Sequence, residues 1–497
     1  MPAATFGAES PAASASAPRP VTSPDVNPPN ASASEAAFVA ETRVAALSAD
    51  TWLAAVARHE VWLLLPAGLP LVFRERFPLW LQLAALVWIA VLWVVRRAAT
   101  GRWTIRTAID PPVLALLLTI PGAVMVIRPE VADIGVGVSR AESLIFAVAL
   151  CYAVANTVYT PARAWSAGAW LLAAGLGLSA VGLVSADWSA KYAALAPVLA
   201  RLPRVIGSVP HATFDQAVVH PNSLASLLVL LIPLAVAVVV WPVESSRRDE
   251  REPLPDALRR QSTTAEWTDP VPRTIGMTVQ PRYLRPLAVV SLVVMAGVLL
   301  LTQSRGAWLA LVVALAAMAA LRRTWLAGLV AIGSIAAVVV GWSITYGTQS
   351  RLELWRATTA MLRDSPLAGI GLNTFPLVYG QDPAYSGYYV YQGYAHAHNL
   401  VLQAGLDYGV PGLVAVAGLH AALAWAAWRL LRRTVGTPLD ALVVGLAFGL
   451  AAHALHGLID ALAIGGKPGF VPWAAAGALV GLRRYAYRWL PRLPGAR

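Results

Sequence analysis

Two histidines one residue apart, His396 and His398, stand with Asn399 at the head of a mostly apolar run in the stretch AHAHNLVLQAGLDYGVPGL, residues 395 to 413. An unperturbed histidine titrates near pH 6.5, so either ring is a natural general base. The pair would also suit a chelated metal, but no third ligand stands at a plausible spacing in the sequence. The approach to the histidines carries Tyr385, Tyr388, Tyr389, Tyr391 and Tyr394. Tyrosine faces stack on sugar rings; the alternative for these residues is an aromatic belt at membrane headgroups.

Arginines supply the second chemistry. Arg305 opens the apolar run TQSRGAWLALVVAL, and an arginine at that depth is costly unless it snorkels or is paired. In SRLELWRATTAMLRDSP, Arg351, Leu354, Trp355, Thr358 and Leu362 recur at three-to-four spacing, which predicts a helix over 350–363 with one face able to lie on a membrane. Arg356 and Arg363 share another face of that helix. Guanidinium groups bind phosphate in a fork, while ion pairs with Glu353 and Asp364 are the competing explanation for Arg356 and Arg363. His220 and Asn222, in VVHPNSLASLL, begin a further apolar run. His453, His456 and Asp460 fall on one helical face, where polar contacts to a neighbouring helix or a proton path are both open.

The elements that position these groups follow from composition. The chain has 497 residues, 58% hydrophobic and only 13% charged, against about 25% charged in soluble domains. It reads as an all-α, polytopic transmembrane helix bundle. Backbone polar groups in lipid must be satisfied within each segment, so the apolar runs are helices. About twelve spans cross roughly 30 Å of hydrocarbon, near 56–73, 79–95, 109–127, 144–160, 166–185, 224–241, 286–303, 306–321, 326–344, 409–428, 438–458 and 469–483. Short segments on one side carry fifteen arginines, and those on the other carry five arginines and Lys467. The positive-inside rule then puts both termini in the cytoplasm and the protein in the cytoplasmic (inner) membrane.

The expected organisation has seven parts. Residues 1–48, rich in Ala, Ser and Pro, form a disordered cytoplasmic tail. Residues 49–241 hold helices one to six, 242–285 a cytoplasmic linker with both charge signs, and 286–344 helices seven to nine. Residues 345–408 form a large, partly helical extracytoplasmic loop that carries the catalytic groups. Residues 409–485 hold helices ten to twelve, and 486–497 a cytoplasmic tail. The net charge of +12 suits cytoplasmic loops against anionic membrane lipid, and no nucleic-acid signature accompanies it. Cys151 is the only cysteine, so disulfides and cysteine metal sites within one chain are excluded.

The motif HN, nine residues, then GVPG (His398, Asn399, Gly409, Gly412) resembles the outer-loop signature of the O-antigen ligase and polymerase superfamily. SRGAW at 304–308, SRLELWR at 350–356, PLAGIGLNTF at 366–375 and HPN at 220–222 resemble its other motifs in the expected order. The resemblance runs from about 200 to 482. It implies a membrane glycosyltransferase that transfers or polymerises glycan from a polyprenyl-pyrophosphate donor onto an acceptor hydroxyl. The acceptor is a glycan or lipid on the outer face of the membrane, and the reaction is inverting and needs no metal or other cofactor. Carried over, His398 takes the acceptor's proton or orients it, and Arg305 and Arg351 hold the pyrophosphate. Arg356, Asn399, His220, Asn222 and Tyr394 are expected in support. A polyprenyl-linked glycan flippase or transporter, or a protein O-oligosaccharyltransferase, are the alternatives.

Overall fold

A computed structural model describes residues 52–130, 132–158, 160–186, 188, 192, 220–241, 281–321, 347–381, 385, 396–435, 437, 439–460 and 464–489. The expected tail at 1–48, residues 490–497 of the expected tail at 486–497, most of the 242–285 linker and the expected span at 326–344 lie outside these residues; 486–489 continue the last helix instead of starting a tail. The described elements are helical throughout: α1 (Trp52–Arg58), α2 (Glu60–Val72), α3 (Leu79–Thr100), α4 (Asp110–Met125), α5 (Gly135–Thr157), α6 (Pro161–Ser185) and α7 (Pro221–Val240). They continue with α8 (Pro281–Leu301), α9 (Arg305–Ala320), α10 (Gly347–Asp364), α11 (Phe375–Gln381), α12 (Leu400–Thr434), α13 (Asp440–Gly457) and α14 (Phe470–Trp489). Seven of them, α3, α5, α6, α7, α8, α12 and α13, are long and apolar enough to cross a membrane; α2, α4, α9 and the apolar part of α14 are apolar but shorter.

The first expected span, 56–73, is two helices, because the chain breaks at His59. Its polar start has a specific partner: Glu60 is buried and accepts from Arg96 Nη1 of α3 at 2.7 Å. The pairings that build the bundle are α7 on α13, α5 on α14, α4 on α12, and α8 on α7 and α6. Small residues let backbones approach. A side chain at Gly449 would sit 2.1 Å from Leu230 O, and one at Gly477 would sit 2.2 Å from Cys151 O. α7 is buried along nearly its whole length among α6, α8 and α13. Outward positions of α3, including Trp80, Leu83, Val87 and Val94, stay apolar and exposed, as a lipid-facing surface requires.

Two features of the 345–408 region differ from expectation. The predicted helix over 350–363 exists as α10, but its apolar face does not lie on a membrane. Leu354 and Met361 are fully buried in a small core with Phe375, Tyr379, Ala397 and Leu406. The protein's own loop offered that face a closer partner. Second, α12 starts at Leu400, well before the expected span, because Asn399 caps it: its Oδ1 accepts from Val401 N and Leu402 N, each at 3.0 Å. The helix then breaks at Gly409, whose φ is 72°. A side chain there would meet Leu367 O at 2.3 Å, so only glycine lets the PLAGIG loop lie this close.

Candidate active site

Four segments meet at one end of the bundle: the N-terminal ends of α7, α9 and α12, and the residues after α13. The chain leaves α13 at Gly457 and turns so that Asp460 N donates to His456 O at 2.8 Å. Asp460 is then buried, 4% exposed, with both carboxylate oxygens engaged. Oδ1 lies 2.8 Å from His398 Nδ1 and 3.7 Å from His396 Nε2. Oδ2 accepts from Asn222 Nδ2 at 2.6 Å. Burial raises the pKa of Asp460, but the hydrogen bond and charge of His398, with the charges of His396 and His456, outweigh it. The carboxyl is held well below the usual range, so it is a carboxylate at neutral pH.

An ionised carboxylate only accepts, so the 2.8 Å contact places a proton on His398 Nδ1. That fixes the tautomer and leaves Nε2 as the proton-accepting nitrogen. His398 has φ 47°, in the left-handed region that a side chain disfavours. Such conformations persist where surrounding contacts hold them, and they concentrate at functional sites. His396 packs beside it, with ring centroids 4.3 Å apart.

His396, His398 and Asp460 present three ligand atoms within 4.8 Å of one another. The third ligand that the sequence spacing lacked thus comes from 62 positions further along the chain. The hydrogen bonding nevertheless argues against a metal. His396 Nδ1 accepts the His398 N–H at 3.2 Å, so a neutral His396 carries its proton on Nε2, the nitrogen facing Asp460. A metal would need a lone pair at that position.

The other expected site residues divide into three groups. Asn222 touches the centre directly, and His220 supports it: His220 Nδ1 accepts from Asn222 N at 3.1 Å and caps α7. Asn399 joins α12 to the same corner through Nδ2, which donates to Leu458 O at 3.1 Å. Arg305 and Arg351 border the site. Arg305 is exposed at the start of α9, and a side chain at Gly306 beside it would lie 3.3 Å from Ile459 Cγ2 and 3.6 Å from His456 Cδ2. Arg351 is half-buried, and its charge reaches the same His456. Arg356 is exposed on α10. Among the described residues Arg356 and Arg363 make no ion pair with Glu353 or Asp364; Asp364 instead accepts from Tyr385 Oη at 2.6 Å. Tyr394 lies outside the described residues.

Asp460 is the residue whose place the sequence pattern hid. Its spacing put it on one face with His453 and His456, but the helix ends at Gly457 and the three part company. His453 turns to Ser226, with Nδ1 3.0 Å from the backbone oxygen, while Asp460 turns to the histidine loop.

Bundle and site together define a multi-pass, all-helical membrane protein with a buried carboxylate–histidine pair at one end. Residues 290–417 match the family model described as O-antigen ligase. This bears out the resemblance to the O-antigen ligase and polymerase superfamily, and with it, in general terms, glycosyl transfer of the ligase or polymerase kind. The matched residues run from α8 into α12 and include Arg305, Arg351, Arg356, Tyr394, His398 and Asn399; His220, Asn222 and Asp460 lie outside them. No curated protein matches the chain significantly.

Proposed function

We propose that this protein transfers a glycan from a polyprenyl-pyrophosphate carrier to an acceptor hydroxyl at the outer face of the cytoplasmic membrane. His398 Nε2 takes the hydroxyl proton as the acceptor oxygen attacks the anomeric carbon. The bond from that carbon to the pyrophosphate oxygen breaks, its electron pair leaves with the pyrophosphate, and attack from the opposite face inverts the configuration. Asp460 holds the imidazole in the basic tautomer and stabilises the imidazolium that forms. Charge grows on the leaving pyrophosphate, and Arg305 and Arg351 are the cations at the border of the site that would stabilise it. No step requires a metal. Twelve spans with both termini inside would put the 345–408 region, and so the site, on the outer side, where a lipid-borne donor meets its acceptor.

The observation that carries this reading is the 2.8 Å contact between His398 Nδ1 and Asp460 Oδ1, made within the corner that Arg305 and Arg351 border. It also weakens the flippase alternative, since Asp460, the acidic group that a transport path would use, is held by His398 and Asn222. The test is the purified protein in nanodiscs with candidate polyprenyl-pyrophosphate-linked oligosaccharides and acceptors, with products read by mass spectrometry. Elongated or ligated glycan with free polyprenyl pyrophosphate is expected. Movement of the intact glycolipid across a bilayer with no transfer would overturn the reading.

A further inference from the structure

Ala397, between the two histidines, is fully buried, and both polar groups of its backbone are bound by side chains from different helices. Its N–H donates to Gln403 Oε1 of α12 at 2.8 Å. Its carbonyl oxygen accepts from Trp355 Nε1 of α10 at 3.0 Å. We propose that Gln403 and Trp355 are positioning residues that clamp the Ala397 peptide and thereby hold His398 against Asp460. The inference rests on the proposed glycosyl transfer and adds residues to it.

Backbone geometry supplies the reason a clamp is needed. His398 sits at φ 47°, which a residue with a side chain abandons unless its neighbours hold it. Were the preceding peptide released, rotation to negative φ would swing the imidazole off Asp460. Gln403 is itself fixed. Its Nε2 donates to Asp407 Oδ1 at 3.0 Å, and a carboxylate accepts only, so Oε1 must face Ala397. Asp407 Oδ1 also accepts from Asn373 N at 3.3 Å, and Asn373 Oδ1 accepts from Arg140 Nη2 of α5. All four side chains of this chain, Gln403, Asp407, Asn373 and Arg140, are buried. The hold on the histidine loop therefore reaches α5, outside the residues that match the family model. Buried polar chains of this kind also serve packing alone, but this one ends on the peptide between the two histidines.

The test uses full-length protein in nanodiscs. Gln403→Met removes the acceptor at similar size, and Trp355→Phe removes only the indole N–H. Each should lower kcat about tenfold or more, as small misplacements of a reacting group do, with KM for the lipid-linked donor within about twofold. The swap Q403E/D407N rebuilds the contact between 403 and 407 in reverse: a carboxylate at 403 accepts both from Ala397 N and from the amide nitrogen at 407, while Asn373 N loses the Oδ1 that it shared with Gln403. It should recover part of the kcat lost in Gln403→Met. A role in packing alone would predict less folded protein with unchanged kcat, and no recovery in the swap. A second readout is independent of transfer: diethyl pyrocarbonate modification of His398, measured by peptide mass spectrometry against the exposed His59. It should rise in Gln403→Met and return in part in the swap. If the wild-type protein transfers no glycan, the proposed function fails while this labelling still decides the clamp. Labelling and kcat equal to wild type in both Gln403→Met and Trp355→Phe would overturn it.

Discussion

Replacing Asp460 by asparagine changes one atom and leaves two ways to place the amide. With the amide nitrogen toward Asn222 Nδ2, now 2.6 Å from an acceptor, two donors collide. With it toward His398 Nδ1, now 2.8 Å from an acceptor, the imidazole must accept there and carry its proton on Nε2. Flipping the Asn222 amide relieves the first, since its Oδ1 has no other hydrogen-bond partner among the described residues; the second puts a proton on the nitrogen that has to take one, and in either the imidazolium loses its carboxylate. A general base contributes about 10² to 10⁴ in rate, and the wrong tautomer of a carboxylate-held histidine costs toward the upper end. Asp460→Asn should therefore lower kcat by about 10² to 10⁴, or about 3 to 5 kcal/mol of barrier, at normal expression. The assay is release of polyprenyl pyrophosphate from a lipid-linked oligosaccharide in the presence of acceptor. If Asp460 acts through His398, the double variant Asp460→Asn/His398→Ala should be no slower than His398→Ala alone. A fully multiplicative loss, or a single variant above half of wild-type activity, would refute this. Because the folded pKa of Asp460 is depressed, its contribution to stability is fully present above the ordinary carboxylate range near 3.9 and is lost as pH falls toward the folded value. The difference in thermal stability between wild type and Asp460→Asn should hold from pH 5 to 8 and narrow below about pH 4.

Four further outcomes are expected. His398→Ala should nearly abolish transfer in membranes while His396→Ala, which leaves the Asp460–His398 contact, should be mild; the reverse order at equal expression would sink the assignment. Arg305→Ala and Arg351→Ala should each cost about 10²-fold in turnover, with Lys restoring part, since lysine keeps the charge and loses the fork; full activity in Arg351→Ala would remove it from the site. Gly409→Ala, which forces a side chain to φ 72° and 2.3 Å from Leu367 O, should lower the unfolding temperature or the yield; a thermal melt equal to wild type would show that the break in α12 tolerates a side chain. After replacement of Cys151, a single cysteine at position 386 should react with an impermeant thiol reagent in intact cells, and labelling only after permeabilisation would reverse the topology.

The sequence carried the bundle well because hydrophobic run length is a strong signal: every expected span that falls on described residues coincides with a helix or a close helix pair. The centre of the site was legible in part. His398 and Asn399 announced themselves by type and by their place at a helix start. Asp460 did not, because a helical spacing pattern assumes the helix continues, and α13 ends three residues earlier. Gln403 and Asp407 read as ordinary polar positions in an amphipathic stretch; their partners are a backbone N–H and an asparagine more than thirty positions away, which no local pattern encodes. The membrane-lying face assigned to α10 failed for the same reason, since an apolar stripe shows that a face is covered but not by what.

The break at Gly409 has a consequence for how α12 is wired. In an unbroken helix, Leu406 O would accept from Val410 N. Here Leu406 O accepts from Ile370 N at 2.8 Å, and Val410 N donates to Pro366 O at 2.7 Å. The next rung is missing too, because Pro411 has no N–H for Asp407 O. The loop 366–370 thus acts as a splice, carrying the ladder across a gap that the helix leaves open. Residues 400–408 are joined to the membrane-spanning remainder of α12 through a second strand of backbone as well as their own. The angle between the histidine-bearing end and the long apolar rod is therefore set by the length of 366–370. One residue added or removed in that short segment would re-aim His398 relative to the bundle, without altering a single side chain of the site.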